Sequence, residues 1–458
     1  MFQKVLIANR GEIAVRVIRA CRELGVATLA VYSSADESCR HVAYADEAVC
    51  IGPPPAAQSY LVMENLIMAA TTHGADAIHP GYGFLAENAA FSRLCAASAI
   101  TFIGPGPESI ELMGHKAMAR TTMAAAGVPV TPGSDGVIGD VAEAEEVVRA
   151  IGLPVMVKAS AGGGGKGIRI VHDAAALAAA VRQASGEAQA AFGDGAVYVE
   201  KYVPNPRHVE IQVLADGEGH AIHLGERDCS IQRRHQKLIE EAPSPAVTPE
   251  LRACMGEAAV EAARAAGYKG AGTVEFLLDP TGHFYFMEMN TRVQVEHCVT
   301  EMVTGIDIVK TGIRIAAGEG LALRQDDVTI AGHAIEFRIN AEDPARDFLP
   351  SPGTVTTWSP PGGPWVRFDS HIYQGYTVPP FYDSLLGKLV VWGRDRDEAM
   401  ARARWALAEF RVEGVATTIP FHVRVLDHPL FRAGTVTTHF IDEDLERGPV
   451  HAEHSPAG

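Results

Sequence analysis

The sequence predicts a mixed α/β and α+β protein: a doubly wound parallel-sheet unit first, then a small lid and a mostly antiparallel sheet, then a mixed, β-rich C-terminal part. Three observations carry this. Short apolar runs alternate with amphipathic helical stretches to about residue 105, the pattern of strand, helix, strand units. A glycine-rich segment, Ala161 to Gly167, sits between two strand-like runs. Beyond it come several strand segments with one long helix among them, and from about Gly332 the chain is rich in Pro, Gly and strand formers.

Taken in order, Val5 to Ala8 is a short apolar run, Glu12 to Leu24 carries apolar residues at helical spacing, Gly25 stops that helix, and Ala27 to Tyr32 returns to strand. The alternation repeats through Ala48 to Ile51, Tyr60 to Ala70, Ala75 to His79, Glu87 to Ala97 and Thr101 to Ile103, and Gly104 to Pro107 marks a boundary. After two helical stretches from Lys116, strands are expected at Val155 to Val157, Ile168 to Val171 and Val197 to Val203, with a helix starting near Asp173. The main sheet is expected from His208 to Ala215, Ala221 to Leu224, Gly272 to Leu278 and Phe284 to Glu288. Thr248 and Pro249 open the intervening helix as cap and first-turn proline.

Composition excludes several classes of function. At 458 residues the chain should hold two to four packed units, and 47% apolar residues is a globular value. A net charge of -17 argues against a general attraction to nucleic acid or anionic membranes. The seven cysteines are widely spaced, without a Cys-x-x-Cys pair, and read as reduced thiols. Neither a secretory signal pattern nor a run of about 18 apolar residues is found, so a cytoplasmic protein is expected.

Candidate chemistry begins at the glycines. Gly162, Gly164 and Gly167 form G-x-G-x-x-G, but strand-like Ile168 to Val171 follows where a dinucleotide fingerprint would open a helix. Gly167 also stands where a Walker loop needs Ser or Thr. A strand-flanked hairpin remains, whose backbone N–H groups suit a polyphosphate, with Lys158 adding a cation. Downstream, Glu275 and Glu288 lie in otherwise apolar strands joined by Asp279 to Gly282. Two buried carboxylates repel unless a cation lies between them, and magnesium takes oxygen ligands. A two-residue turn makes the pair diagonal neighbours roughly 7–8 Å apart, whereas a three-residue turn puts them on opposite faces unless a bulge intervenes. These features together predict a magnesium-ATP site.

The strings Ile7 to Ile13, His79 to Phe84, Lys158 with its loop, Arg207 to Gln212, Glu226 to Lys237, Glu288 to His297 and Arg338 to Asp343, in that order, resemble the biotin carboxylases within the ATP-grasp ligases. The resemblance spans essentially the whole chain. It implies an N-terminal domain over 1–114, an ATP-grasp domain over 115–330 with a lid at about 130–204, a C-terminal domain over 331–447, and a tail at 448–458. It implies that Lys116 and Lys158 lie along the ATP phosphates, that Gly164 and Gly165 cover them, and that Glu200, Lys201, Tyr202 and Val203 form the adenine hinge. His208, Gln232 and His235 approach the ribose and phosphates, and Glu275, Glu288 and Asn290 hold Mg2+ or Mn2+. Bicarbonate is expected among Lys237, Arg292, Gln294 and the Val295 backbone, with Glu296 as its base. Arg338 and Tyr82 are expected at biotin. The implied reaction runs through carboxyphosphate to carboxybiotin, as the first half of an acyl-CoA carboxylase, with acetyl-CoA and fatty acid synthesis as the default.

Departures and absences refine the expectation. Cys298, in what reads as a strand after Glu296, stands where family members usually have proline, and Arg346-Asp347 is a surface variation. No Met-Lys-Met occurs, so biotin is expected on a separate biotin carboxyl carrier protein, serving separate carboxyltransferase subunits. Arg16, Arg19 and Glu23 on the first helix correspond to a homodimer contact in the family. The alternatives are another ATP-grasp carboxylate-amine ligase, which lacks the Gln294-Val-Glu296 string and the Arg338 strand, and a non-catalytic regulatory subunit, which would have lost a metal or bicarbonate residue.

Overall fold

The computed structural model describes residues 1–160 and 167–445. Most of the glycine loop, with Gly164 and Gly165, and the tail from residue 448 lie outside the described residues. The N-terminal unit is a five-stranded parallel sheet in the order β3-β2-β1-β4-β5, with β1 Lys4–Ile7, β2 Ala27–Ser33, β3 Glu47–Gly52, β4 Ala77–His79 and β5 Thr101–Phe102. Its central strand is apolar on both faces because helices cover both, as parallel sheets require. The turn after β4 needs its glycine: Gly81 has φ +64°, and a Cβ there would stand 2.9 Å from Asn9 Nδ2.

The helix Gly11–Glu23 turns its apolar face to this sheet, but Arg16 also points inward. Its guanidinium binds Glu301 at 2.9 Å and Asp307 at 2.7 Å, and Glu23 pairs with Lys310. Of the three residues expected at a dimer contact, Arg16 is thus committed to its own chain, while Arg19 is exposed. Sequence spacing could not show this, because the partners lie nearly 300 residues away.

The lid is a three-stranded antiparallel sheet, β6 Val155–Ala159 between β7 Ile168–Val171 and β8 Val197–Lys201, backed by the helices Val141–Ile151 and Leu177–Phe192. Beyond it, eight strands form one sheet that runs without a break past residue 331. Its order begins with β13 Phe284–Asn290, β12 Lys269–Leu278, β9 Arg207–Asp216, β10 Ala221–Arg233, β11 Gln236–Ala242 and β14 His333–Asn340. The strands Leu385–Gly393 and Val366–Ser370 complete it. The 2-residue period of a strand sorts this sheet into two faces. Val209, Ile211 and Val213 with Val274 and Phe276 pack on the helix Pro249–Ala265, whose first turn is capped by Thr248 Oγ1. Ile335, Phe337 and Ile339 pack with Leu389 against the helix Arg396–Glu409. The alternate positions, among them His208, Glu210, Gln212, Thr273, Glu275, Glu336, Arg338 and Lys388, carry polar groups on the other face. Among the described residues, no helix is long and apolar enough to cross a membrane.

Candidate active site

The acidic pair is built by a bulge. From Leu278↔Phe284 to Phe276↔Phe286 the β12–β13 ladder is regular, then the register shifts by one residue and Glu275 pairs with Glu288, Val274 with Met289 and Thr273 with Asn290. Met287 is the extra residue. Without it Glu288 would face away from Glu275; with it the two carboxylates are direct cross-strand neighbours, about 4.5–5.5 Å apart at Cβ, not diagonal. Asn290 projects to the same face and donates from Nδ2 to Glu275 Oε1 at 2.8 Å. Lys116, first residue of the helix Lys116–Ala125, lies 3.5 Å from Glu288.

Lys237 is the hub beside them. It is reached by the β10–β11 hairpin, whose two turn residues, Arg234 and His235, both have positive φ, as a two-residue loop demands. Its ammonium binds Glu210 at 2.6 Å, Glu275 at 2.9 Å and Glu296 at 2.8 Å. Burial opposes that charge, but three carboxylates hold the Lys237 pKa well above its ordinary value. Glu275 is likewise penalised by burial, yet Lys237 and His208, whose Nε2 lies 2.9 Å from Glu275 Oε2, keep its carboxyl well below the usual range. Glu296 follows the same logic: against burial, Lys237, Arg338 and Arg227 hold it strongly ionised.

Glu296 is the N-cap residue of the helix His297–Thr304 and has one oxygen on Lys237 and the other on Arg338 Nη2, at 2.9 Å. Arg338 in turn binds Glu240 through Nε at 2.6 Å. Gln294 donates to Glu275 at 2.7 Å, and the Val295 carbonyl accepts from Lys388 at 2.8 Å. Arg292 is held by Glu87 at 2.9 Å and by Asn290 Oδ1 at 2.9 Å. Arg292, Val295, Arg338 and Tyr82 share the wall of a cleft of about 530 Å³ between the N-terminal sheet and the far end of the main sheet. Tyr82 is anchored there by its hydroxyl to Glu12.

The lid contributes a second group. Lys158 binds Glu200 at 2.6 Å, and Arg120 reaches the same carboxylate at 3.3 Å. The Lys201 side chain turns outward to the carbonyls of Gly152 and Leu153, while its backbone N–H bonds Pro132. Tyr202 meets the His172 ring edge-on, and Val203 is buried. Gln232 is half-buried across the ladder from Lys237, whereas His235 is exposed at the hairpin tip.

Several residues that shape the site are not evident from the sequence. Arg227 is fully buried and binds Glu210, Gln212, Thr273, Thr300 and Gln294, which makes it the framework under Lys237. Glu210, Glu240 and Lys388 are charged residues inside apolar strands, the same signal that singles out Glu275. Cys298 proves to lie in a helix, not a strand, as its second residue. Its thiol is buried 3.3 Å from Asp369. Asp347 pairs with Arg233 and Arg234 near the hairpin tip.

A carboxylate pair beside a lysine hub, with an arginine-held carboxylate behind it and a small antiparallel lid before it, is an arrangement that suits an ATP-grasp ligase. Comparison with known proteins narrows the class. Family models described as "Biotin carboxylase, N-terminal domain", "Carbamoyl-phosphate synthase L chain, ATP binding domain" and "Biotin carboxylase C-terminal domain" match residues 1–110, 115–324 and 336–443. A biotin carboxylase of Nostoc sp. is 58% identical over 442 residues, which cover 96% of this chain and 99% of the relative. The crystal structure of a biotin carboxylase complex with β,γ-ATP from Campylobacter jejuni has a TM-score of 0.92 at 49% identity, over 96% of this chain and 99% of that one. The biotin carboxylase domain dimer of Hydrogenobacter thermophilus 2-oxoglutarate carboxylase, with MgADP, ADP and bicarbonate, has a TM-score of 0.91 at 52% identity, over 97% and 98%. The chain belongs to the biotin carboxylase family and is a ligase.

Proposed function

We propose that the chain carboxylates biotin on a separate carrier protein, using ATP and bicarbonate, with Glu296 as the base that joins the two halves of the reaction. One observation carries this reading: the same buried carboxylate touches Lys237 on the side of the acidic pair and Arg338 on the side of the cleft. Glu275 and Glu288 offer carboxylate oxygens fit for a hard divalent cation such as Mg2+ or Mn2+, and Asn290, whose Oδ1 accepts from Arg292 here, would add its amide oxygen with the amide turned over. Bound there, the ion supplies positive charge to phosphate oxygens. Lys116 and Lys158 add cations along the phosphates, the glycine loop with Gly164 and Gly165 covers them, and Glu200 to Val203 receive the adenine. His208, Gln232 and His235 attend the ribose and phosphates.

Bicarbonate is seated by Lys237, Arg292, Gln294 and the Val295 backbone. Glu296, kept ionised by its cations, takes the bicarbonate proton, and the freed oxygen attacks the γ-phosphorus, with ADP as leaving group. Carboxyphosphate then yields CO2 and phosphate, and that phosphate removes the proton from the ureido nitrogen of biotin. Arg338 holds the enolate-like oxygen of the ring against Tyr82, and the nitrogen attacks CO2. The domain limits 1–114, 115–330 and 331–447 serve as functional divisions, although the main sheet runs across the last of them and the cleft is lined from all three. A carrier protein, carboxyltransferase partners and a cytoplasmic setting follow from the sequence reading, and a homodimer is in keeping with the domain dimer of the Hydrogenobacter thermophilus enzyme. Acetyl-CoA is the default downstream acceptor for a stand-alone chain of this length, while the 2-oxoglutarate carboxylase neighbour marks 2-oxo acids as the class to compare. Assays of the reconstituted system with acetyl-CoA, propionyl-CoA and 2-oxo acids decide the acceptor; no turnover of acetyl-CoA would refute that choice. ATP hydrolysis by the purified protein, with and without bicarbonate and free biotin, tests the half-reaction, and ADP release indifferent to bicarbonate would refute it.

A further inference from the structure

One buried acid on the site face takes no part in the steps above. Glu336 on β14 lies directly across the ladder from Glu240 on β11, and both are 0% exposed. Neither Glu336 oxygen has a hydrogen-bond partner, and neither has Glu240 Oε2. Glu240 spends its other oxygen on Arg338, at 2.6 Å to Nε and 2.5 Å to Nη2. Two fully buried carboxylates facing across a strand pair cannot both be charged, because each pays for burial and repels the other.

The groups around Glu336 decide which one ionises. Lys388, from the neighbouring strand, is the cation that acts on it most strongly, but that ammonium is engaged by the Val295 carbonyl at 2.8 Å and by Glu12, from the first helix, at 3.3 Å. From the helix that begins at His297 come the negative charge of its cap, Glu296, and the Cys298 thiol, which burial keeps neutral. Glu240 has Arg338 and, more weakly, Lys237. Burial first and the facing acid second push Glu336 well above the carboxylate range, while Glu240, relieved by Arg338, rises only to about 7.

We propose that Glu336 is a positioning residue: a neutral carboxylic acid that donates a hydrogen bond to Glu240 Oε2, so that anionic Glu240 holds Arg338 in place between itself and Glu296. The proton stays on the pair throughout turnover, and nothing is transferred. The inference rests on the reading that Arg338 serves biotin. Its consequence is specific. When alkaline pH removes the proton, a second anion beside Glu240 draws Arg338 inward, and biotin carboxylation falls while bicarbonate-dependent ATP hydrolysis does not.

The test combines infrared difference spectroscopy with pH profiles, both on the full chain. The carbonyl stretch of a protonated carboxylic acid should be present in the wild type at neutral pH, fade at alkaline pH, and be missing from Glu336→Gln. Glu336→Gln keeps a neutral donor facing Glu240, so it should retain the neutral-pH rate within about threefold and lose the alkaline limb of the carboxylation profile. Glu240→Gln should lower kcat/KM for biotin on the order of 10- to 100-fold through misplacement of Arg338, with bicarbonate-dependent ATP hydrolysis intact. No protonated-acid band in the wild type, a band that survives in Glu336→Gln, an alkaline limb that survives there, or unimpaired carboxylation by Glu240→Gln would each overturn the proposal. If Glu336→Gln does not fold, the wild-type band and its loss at alkaline pH carry the test. Unimpaired carboxylation by Arg338→Ala would instead refute the functional reading, and the infrared band alone would then decide whether the acid pair shares a proton.

Discussion

Replacing Lys237 by Met removes one ammonium and leaves Glu210, Glu275 and Glu296 facing the vacated position at what were contacts of 2.6, 2.9 and 2.8 Å. Breaking a buried ion pair from one side costs about 3–5 kcal/mol because the remaining charge is unpaired. Each carboxylate here keeps another cation: Arg227 for Glu210, His208 for Glu275 and Arg338 for Glu296. The loss should therefore fall near the lower bound, about 3 kcal/mol, which lowers the thermal midpoint of the central unit by roughly 5–10 °C. Function should suffer far more, with bicarbonate-dependent ATP hydrolysis down on the order of 10³-fold, since a preorganised cation at a reacting anion is a large term. Lys237→Arg should not restore it, because a planar fork cannot serve three carboxylates converging on one small ammonium. Calorimetry and a coupled ADP assay check both. An unchanged midpoint together with a near-normal KM for bicarbonate would show that Lys237 is not the hub described above.

Other parts of the structure lead to further expected outcomes. Glu288→Gln should abolish ATP turnover, whereas Arg338→Ala should keep bicarbonate-dependent ATP hydrolysis and lose biotin carboxylation by about 10²-fold or more; equal loss of both activities in both variants would contradict the division of roles. His41 and His422 are held by burial at a pKa of about 4, and His79 and His297 at about 3, so all four are neutral in the fold. The unfolded chain binds these protons from about pH 6.5 downward while the folded one does not. Stability should thus be full above pH 6.5 and fall as the pH drops toward 4 and 3, by up to about 1.4 kcal/mol per pH unit for each histidine; a denaturation midpoint flat between pH 7 and 5 would contradict this. Cys298→Pro should change stability by less than about 1 kcal/mol, because residue 298 is in the first helical turn and Asp369 keeps its contact with Arg367 at 2.6 Å; thermal denaturation of the variant checks it.

Local pattern makes much of the architecture legible. The parallel sheet shows in the apolar runs around Lys4–Ile7, Ala27–Ser33 and Ala77–His79, and the acidic pair shows as carboxylates in apolar strands. What the sequence could not disclose is long-range. The bulge at Met287 depends on pairing between two strands, and nothing in residues 284 to 290 announces it, yet it alone brings Glu288 opposite Glu275. Arg16 has helical spacing suited to an exposed face, but Glu301 and Asp307 draw it inward. Cys298 reads as strand because Val299 and Thr300 are β-branched, yet it stands in a helix whose N-cap residue, Glu296, makes no side-chain cap and turns its carboxylate to Lys237 and Arg338 instead. Arg227, Glu240 and Lys388 show the general limit, since a buried charge declares its role only when its partners from distant strands are known.

In the proposed reaction Glu296 stands between ATP-driven activation of bicarbonate and carboxylation at Arg338, and the reading of the site depends on that link. The decisive variant is Glu296→Gln, assayed for bicarbonate-dependent ADP release and for biotin carboxylation in the same preparation, with binding of ATP measured in parallel. Both activities should fall by about 10²–10⁴-fold, with ATP affinity retained. Bicarbonate-dependent ADP release at the wild-type rate would contradict the role given to Glu296.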